Sequence, residues 1–173
     1  MHKPNLLFSI AFLCFGLSGC AAWLGRSMET EVEPSPASAP RIVASDPASN
    51  AALQALAYLG APYHEGGVSP KTGFDCSGLV TYAYHQGVGL TLPHNTLSLS
   101  RIGEPVERGL LKPGDLVFYN TQHREYSHVG IYLGEGRFIH APSSGGEVRV
   151  DNLRASYWTR RYSGARRIVA SPG

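Results

Sequence analysis

Residues 127–142 read SHVGIYLGEGRFIHAP, and this stretch decides how the C-terminal half of the chain folds. Apolar and other residues alternate on both sides of Gly134-Glu135-Gly136, a pattern that predicts a β-hairpin with a three-residue loop. In that hairpin Leu133 pairs with Arg137. The register gathers these apolar side chains on one face: Val129, Ile131, Leu133, Ile139 and Ala141. A slip of one residue would scramble this face, so the pattern specifies the register strongly.

The opposite face of the same hairpin carries two histidines. In this register His128 and His140 are diagonal cross-strand neighbours, about 7–8 Å apart at Cα. At that separation one imidazole can hydrogen-bond to the other and orient it. Either histidine alone is typical of a solvated strand, whereas the pair indicates a site.

Patterns on either side of the hairpin complete the predicted architecture. Helical spacing predicts three helices: 51–59 with Asn50 as N-cap, 76–86 with Asp75 as N-cap, and 95–102. A glycine-rich loop over 63–73 separates the first two. Alternation bounded by turn residues predicts strands over 116–119, 129–133, 137–141, 147–150 and 165–169. Helices followed by antiparallel strands indicate an α+β domain.

Cys76 occupies the first turn of the second predicted helix. Free backbone N–H groups and the helix dipole favour a thiolate there, although a buried, unreactive cysteine fits the position nearly as well. Joined to the histidine pair, Cys76 completes a relay of nucleophile, base and orienting residue. A zinc site of Cys76, His128 and His140, with His123, is the alternative. No metal-binding spacing supports it, so no metal or cofactor is expected.

The N-terminal segment predicts export. His2-Lys3 precedes an apolar run over 6–17, too short for a bilayer span but typical of a signal peptide. The sequence Leu17-Ser18-Gly19-Cys20 resembles a bacterial lipobox, which implies cleavage before Cys20 and lipid attachment to its sulfur. Ala21 then indicates the outer membrane of a Gram-negative cell. The alternative is an ordinary secretory signal with a chance cysteine.

Composition and cysteine usage narrow the function classes. Fifteen basic and thirteen acidic residues leave a net charge of +2, too small for an electrostatic nucleic-acid binder. The stretch 29–50 is rich in Pro, Ala and Ser and predicts a linker. We therefore divide the chain into a signal peptide (1–19), a lipidated N-terminus with linker (20–50) and a domain (51–173). Cys76 is then the only free thiol, because cleavage removes Cys14 and lipid occupies Cys20.

Four ordered motifs carry a family resemblance: Phe74-Asp75-Cys76-Ser77-Gly78-Leu79-Val80, Leu111-Lys112-Pro113-Gly114-Asp115-Leu116-Val117-Phe118, Ser127-His128-Val129-Gly130-Ile131-Tyr132-Leu133-Gly134 and Gly136-Arg137-Phe138-Ile139-His140-Ala141. Over about residues 51–170 the chain resembles the NlpC-type cysteine peptidases, papain-like enzymes that cut bacterial cell-wall peptides. The resemblance implies Cys76 as nucleophile, His128 as general base and His140 as the residue that orients His128.

The same resemblance implies further site residues. Tyr63 is expected beside the cysteine, where it helps bind substrate or the oxyanion. Asp75 and Ser77 flank the nucleophile at positions where family members contact the substrate's free amino and carboxyl groups, although Asp75 serves equally well as an N-cap alone. Two positions depart from the family pattern. Glu65 replaces a common aromatic, and His94 replaces a common arginine and is expected on a surface loop.

These observations predict a peptidoglycan endopeptidase anchored by lipid to the outer membrane. The bond expected to be cut joins γ-D-glutamate or D-alanine to the diamino acid of the stem peptide. A muramoyl-alanine amidase is the alternative among enzymes, and an inactive wall-binding or regulatory lipoprotein is the alternative outside them. The sequence indicates no activating protein partner. Arg166 and Arg167 are expected as solvated charges beside the last strand.

Overall fold

The computed structural model describes residues 46–144 and 146–169. The predicted signal peptide, Cys20 and most of the predicted linker lie outside these residues. The helices are α1 (Pro47–Leu56), α2 (Cys76–Val88), α3 (Thr96–Leu99) and α4 (Ser156–Thr159), with a 3₁₀ turn at Arg108–Leu110. The strands are β1 (Val68–Ser69), β2 (Gly73–Phe74), β3 (Glu104–Pro105), β4 (Leu116–Tyr119), β5 (His128–Gly134), β6 (Arg137–His140), β7 (Arg149–Asn152) and β8 (Tyr162–Arg167).

A six-stranded sheet forms the centre of the domain, with strand order β3-β8-β4-β5-β6-β7 and antiparallel pairing throughout. Helices α1 and α2 contact each other, and α2 contacts β5. The α+β class and the papain-like arrangement of a helix packed on an antiparallel sheet are as predicted. None of the described helices is long and apolar enough to cross a membrane.

The central hairpin has the predicted register but a different turn. Ile131 faces Ile139 as expected, whereas Arg137 pairs with Gly134 and not with Leu133. The loop is therefore the two residues Glu135-Gly136. Both have positive φ (54° and 76°), as a two-residue type I′ hairpin turn requires. Leu133 becomes the extra residue of a β-bulge, which absorbs the one-residue difference.

The sheet is buried on both faces, not on one. The predicted apolar face of the hairpin packs against α1 and α2: Val129, Ile131, Ile139 and Ala141 are all fully buried. The other face, which carries the histidines, lies under a second apolar cluster that includes Tyr119, Phe138 and Trp158. Gly130 leaves the space that this face needs, since a Cβ there would lie 2.7 Å from the Ile139 carbonyl oxygen.

Several boundaries differ from prediction, and each has a local cause. Helix α1 begins four residues early because Asp46, not Asn50, is its N-cap and Pro47 fits the first helical position. Helix α2 continues past Gly87 and ends at Gly89, which adopts the left-handed conformation (φ 73°). The third predicted helix shrinks to one turn after the Asn95 cap. Part of the predicted glycine-rich loop forms the short β1–β2 pair.

The last strands also shift from their predicted bounds. Strand β7 covers 149–152 instead of 147–150, and β8 covers 162–167 instead of 165–169. Arg167 is not a free surface charge: Nε and Nη2 bind the buried Asp115 carboxylate at 2.8 and 2.7 Å. Asp115 also accepts the Lys112 N–H, so the ion pair ties β8 to the turn before β4.

Candidate active site

Asp75 organises the N-terminus of α2, where the candidate nucleophile lies. Its Oδ1 accepts the Gly78 N–H at 2.6 Å and the Ser77 hydroxyl at 3.0 Å, and Oδ2 accepts the Gly66 N–H at 3.1 Å. Asp75 is thus the predicted N-cap, and Ser77 is a buried partner of its carboxylate. This set fixes Cys76 as the first helical residue.

The thiol of Cys76 lies beside the strand that carries the candidate base. Hydrogen bonds from the backbone N–H groups of Val129, Ser77 and Cys76 itself stabilise its anion. Burial outweighs them, and with the nearby Asp75 charge it raises the pKa of Cys76 to about 11. This reverses the direction predicted from the helix N-terminus. The resting thiol is protonated and needs a base to become a nucleophile.

His128 begins β5 and forms a hydrogen-bonded chain with two further residues. Its Nε2 lies 2.8 Å from His140 Nδ1, which is the contact that the hairpin register predicts. His140 is fully buried, and its Nε2 lies 3.0 Å from Asp151 Oδ2 on β7. The chain therefore runs from the thiol side through two imidazoles to a carboxylate.

The direction in which hydrogen bonds are donated along this chain follows from its last member, Asp151. Burial lowers the pKa of both His128, to about 3, and His140, so both rings are neutral. An ionised carboxylate only accepts, so His140 donates from Nε2 to Asp151 and must accept at Nδ1. His128 then donates from Nε2 to His140. The Nδ1 lone pair of His128 is left unprotonated, which is the state a general base requires.

Asp151 is a site residue that the sequence patterns did not predict. Its Oδ2 also accepts from Trp158 Nε1 at 3.0 Å and from Arg149 Nη2 at 3.2 Å. The bonds from His140, which has the largest effect, and from Arg149 hold the pKa of Asp151 well below its usual range. A signal for it exists in the strand pairing, because Asp151 pairs with Phe138 and so lies next to His140. The predicted strand ended at residue 150 and excluded it.

Trp158 packs against both imidazoles. Its ring stacks on His128 at 5.8 Å between centroids and 22° between planes, and it meets His140 edge-on at 5.0 Å. Phe138 closes the other side of His140, 4.8 Å away between centroids. This packing leaves His128 6% exposed, which allows a substrate to reach it while water is largely excluded.

The loop before His128 is held by Ser127. The Ser127 hydroxyl accepts the N–H groups of Thr121 and Gln122 at 2.9 and 3.3 Å. Within this loop His123 and Tyr126 adopt positive φ (54° and 55°), a conformation that is uncommon for such residues. Backbone strain is therefore concentrated close to the site, as is usual where geometry serves function.

The remaining predicted residues lie around the cysteine. Tyr63 is near enough to Cys76 and Asp75 that their charges, after burial, raise its pKa. His94 lies on the predicted surface loop, yet its Nε2 is 3.0 Å from both carboxylate oxygens of Asp75. Glu65 is exposed, and its charge also acts on Tyr63. Within residues 46–144 and 146–169 no three His, Cys, Asp or Glu side chains are arranged so that together they could hold a metal ion.

Comparison with known proteins identifies the family. Residues 60–167 match the model of the NlpC/P60 family. The chain is 49% identical over 114 residues to murein DD-endopeptidase MepH of Escherichia coli, covering 64% of this chain and 42% of that protein. It is 42% identical over 132 residues to gamma-DL-glutamyl hydrolase of Bacillus subtilis, covering 74% of this chain and 32% of that one. The chain thus spans less than half the length of either relative.

Solved structures agree with this grouping. The structure of the peptidoglycan hydrolase RipB from Mycobacterium tuberculosis superposes with a TM-score of 0.62 at 32% identity, covering 77% of this chain and 70% of that chain. An NlpC/P60 family protein from Bacillus cereus gives a TM-score of 0.63 at 34% identity, covering 71% and 40%. Sequence and fold therefore point to the same family.

The buried neutral imidazoles predict a specific dependence of stability on pH. Their folded pKa values lie below the unfolded value, so the unfolded chain binds more protons as the pH falls below about 6.5. The free energy of unfolding should therefore decrease, by up to about 1.4 kcal/mol per pH unit for each imidazole. Urea unfolding between pH 7 and 4.5 measures this, above the range in which Asp151 titrates.

His128→Gln supplies the comparison, since the amide can still donate to His140. The variant should lose the part of the extra slope below pH 6.5 that His128 contributes. An unchanged slope would mean that His128 is not held neutral in the folded protein.

Proposed function

The chain belongs to the NlpC/P60 family, and from this premise we propose that it is a cysteine endopeptidase that cuts amide bonds in the stem peptides of bacterial peptidoglycan. The hydrogen-bonded chain His128–His140–Asp151 is the observation that carries the proposal, because His128 precedes Val129, whose N–H binds the Cys76 sulfur. An oriented imidazole on the adjacent strand adds nothing to the packing of a buried thiol with a raised pKa. A thiol that must be deprotonated before it can attack needs such a base.

In acylation the Cys76 thiol gives its proton to His128 Nδ1 as the sulfur attacks the amide carbonyl carbon. A C–S bond forms and the carbonyl oxygen takes up the negative charge. The tetrahedral intermediate then collapses. Its C–N bond breaks, and the proton passes from His128 Nδ1 to the leaving amine. An acyl thioester on Cys76 and a free amine result.

In deacylation a water molecule attacks the thioester carbonyl and gives a proton to His128 Nδ1. The C–S bond breaks, and the thiolate recovers its proton from the imidazolium. The product is a new carboxyl group, and the site returns to its resting state. His140 stabilises the imidazolium in both halves because its Nδ1 accepts from His128 Nε2 and Asp151 supplies the compensating charge.

Residues around Cys76 are suited to the carbonyl and acyl half of the substrate. The Cys76 N–H at the start of α2 can donate to the oxyanion, and the Tyr63 hydroxyl is a second candidate donor. Asp75 is already bound to Gly66, Ser77, Gly78 and His94, so its primary role is to hold the helix start. We propose that the substrate's free amine binds on the side of the Asp75 carboxylate where His94 lies.

The names of the relatives narrow the bond to two candidates. MepH of Escherichia coli is named as a murein DD-endopeptidase, and the Bacillus subtilis relative as a gamma-DL-glutamyl hydrolase. In peptidoglycan these correspond to the D-alanyl cross-link and the γ-D-glutamyl bond. In both bonds the diamino acid supplies the leaving amine. Product masses distinguish them.

Digestion of purified sacculi and isolated muropeptides by residues 21–173 tests the activity. We expect new fragments from the wild type, a loss of at least about 1000-fold with Cys76→Ser, and a loss of about 10- to 100-fold in kcat with Asp151→Asn, which replaces the charged acceptor of His140 with a neutral amide. Liquid chromatography with mass spectrometry identifies the bond that is cut.

Glycan fragments that have lost their entire stem peptide would indicate an amidase instead. No Cys76-dependent product from either substrate would contradict the proposed activity and favour a binding or regulatory protein.

We also propose that lipid on Cys20 holds the enzyme at the periplasmic face of the outer membrane. The lipobox-like Leu17-Ser18-Gly19-Cys20 and the following Ala21 support this. A thioether-linked diacylglycerol with an added N-acyl chain supplies more than one lipid, which stable anchoring needs. The Pro-, Ala- and Ser-rich stretch 29–45, which ends before the α1 cap, then spaces the domain from the membrane and lets it reach the wall.

Expression of the full chain in a Gram-negative host, with fractionation of the envelope, checks the anchor. Wild type should sediment with the outer membrane, and Cys20→Ala should not. Cys14→Ala is the matched control and should behave as wild type, because it removes a cysteine from the apolar run only. Identical distributions of wild type and Cys20→Ala would contradict lipid anchoring.

A further inference from the structure

A cavity of about 530 Å³ opens beside His128 and has no role in the steps described above. His128, Asp151 and Trp158 form its inner wall, and Arg149 also lines it. Tyr63, Asp75 and Cys76 do not line it. The cavity therefore lies on the base side of the site and away from the cysteine side.

Proton transfer assigns this cavity to one half of the substrate. His128 must protonate the leaving nitrogen, so that nitrogen has to come within hydrogen-bond reach of the imidazole. The residue bearing the nitrogen then lies in the space next to His128, while the acyl half stays near Cys76. The cavity beside His128 is thus the place for the leaving residue.

Arg149 is the only cation that lines the cavity among the described residues. Its Nε and Nη2 are engaged by Asp151 at 3.2 Å, and its Nη1 makes a long contact of 3.5 Å with the Ser144 carbonyl. A guanidinium has five N–H donors, so the outward edge formed by Nη1 and Nη2 retains donors. The side chain is 39% exposed, which leaves that edge accessible.

The other charges near the cavity favour an anion. Among the residues that the structure describes, Asp151 is the one carboxylate in its wall, and its oxygens already accept from His140, Trp158 and Arg149. A second cavity shares Thr121 with the first and carries Arg160 and Arg161 in its wall. The remaining polar lining of the first cavity is uncharged: Thr121, Gln122, Ser143, Ser144, Asn152 and Tyr157.

We propose that this cavity binds the leaving residue of the substrate and that Arg149 recognises a free carboxylate on it through the Nη1–Nη2 edge. The inference rests on the proposed endopeptidase function and adds a specificity residue to it. A leaving diamino acid that has two carboxyl groups carries such a free carboxylate in both candidate bonds. In the cross-link it is on the carbon that bears the amine, and in the stem bond it is at the far end of the side chain.

A pair of synthetic muropeptides tests this, identical except that the leaving diamino acid carries either the free carboxylate or a carboxamide. Wild type should cleave the carboxylate form about 10- to 100-fold faster in kcat/KM, the range that a charge-assisted hydrogen bond supplies. Arg149→Ala should lower kcat/KM for the carboxylate form to that of the carboxamide form.

This comparison separates recognition of the substrate carboxylate by Arg149 from the support that Arg149 gives to Asp151. Loss of the Arg149–Asp151 contact slows both substrates equally, whereas loss of recognition abolishes the preference between them. Arg101→Ala, which removes an exposed cation that lines neither cavity, is the matched control and should keep the preference.

Three results would overturn the inference. Equal cleavage of both substrates by wild type, or an unchanged preference in Arg149→Ala, would remove the role of Arg149 and leave the endopeptidase standing. Cys76-independent or absent cleavage of both substrates would overturn the endopeptidase function and this inference with it.

Discussion

The ionised carboxylate of Asp151 is the constraint on which the site depends. A carboxylate accepts hydrogen bonds only, so it fixes the proton of His140 on Nε2, and His140 in turn fixes the proton of His128 on Nε2. The unprotonated nitrogen of His128 is then the one available to the thiol. Without a fixed acceptor at the end, two neutral imidazoles have two tautomeric arrangements of comparable energy, and only one of them is a base.

The fold keeps this acceptor charged and in place. Arg149 and Trp158 donate to Asp151 in addition to His140, and the bonds from His140 and Arg149 lower the pKa of Asp151 and keep it ionised at neutral pH. Pairing of β6 with β7 brings the carboxylate to the histidine face, and the second apolar cluster covers that face. Burial of His128 meanwhile lowers its pKa, so the imidazole is neutral at rest.

The hairpin could be predicted from sequence because its apolar positions tolerate one register only. At Ile131–Ile139 and Tyr132–Phe138 that register is correct, and the alternation of apolar residues alone is enough to bring His128 and His140 together. Turn geometry could not be predicted in the same way, since Gly134-Glu135-Gly136 allows either a three-residue loop or a two-residue turn with a bulge. Local composition does not distinguish them.

Long-range effects explain the other differences. Asp151 and Arg167 look like ordinary surface charges in the sequence, and their partners His140 and Asp115 are distant along the chain. The pKa of Cys76 shows the same limit. Its place at a helix N-terminus is visible in the sequence, but the burial that outweighs this effect depends on β5 packing against α2.

Long-range ¹H–¹⁵N correlation spectra of the ¹⁵N-histidine-labelled protein at pH 7 test the central claim most directly, because they report which ring nitrogen carries each proton. His128→Gln and His140→Gln identify the two signals among the seven histidines. We predict that both rings are neutral, with protonated Nε2 and unprotonated Nδ1. A proton on His128 Nδ1, or a doubly protonated His128, would contradict the proposal that Asp151 prepares His128 to accept the thiol proton.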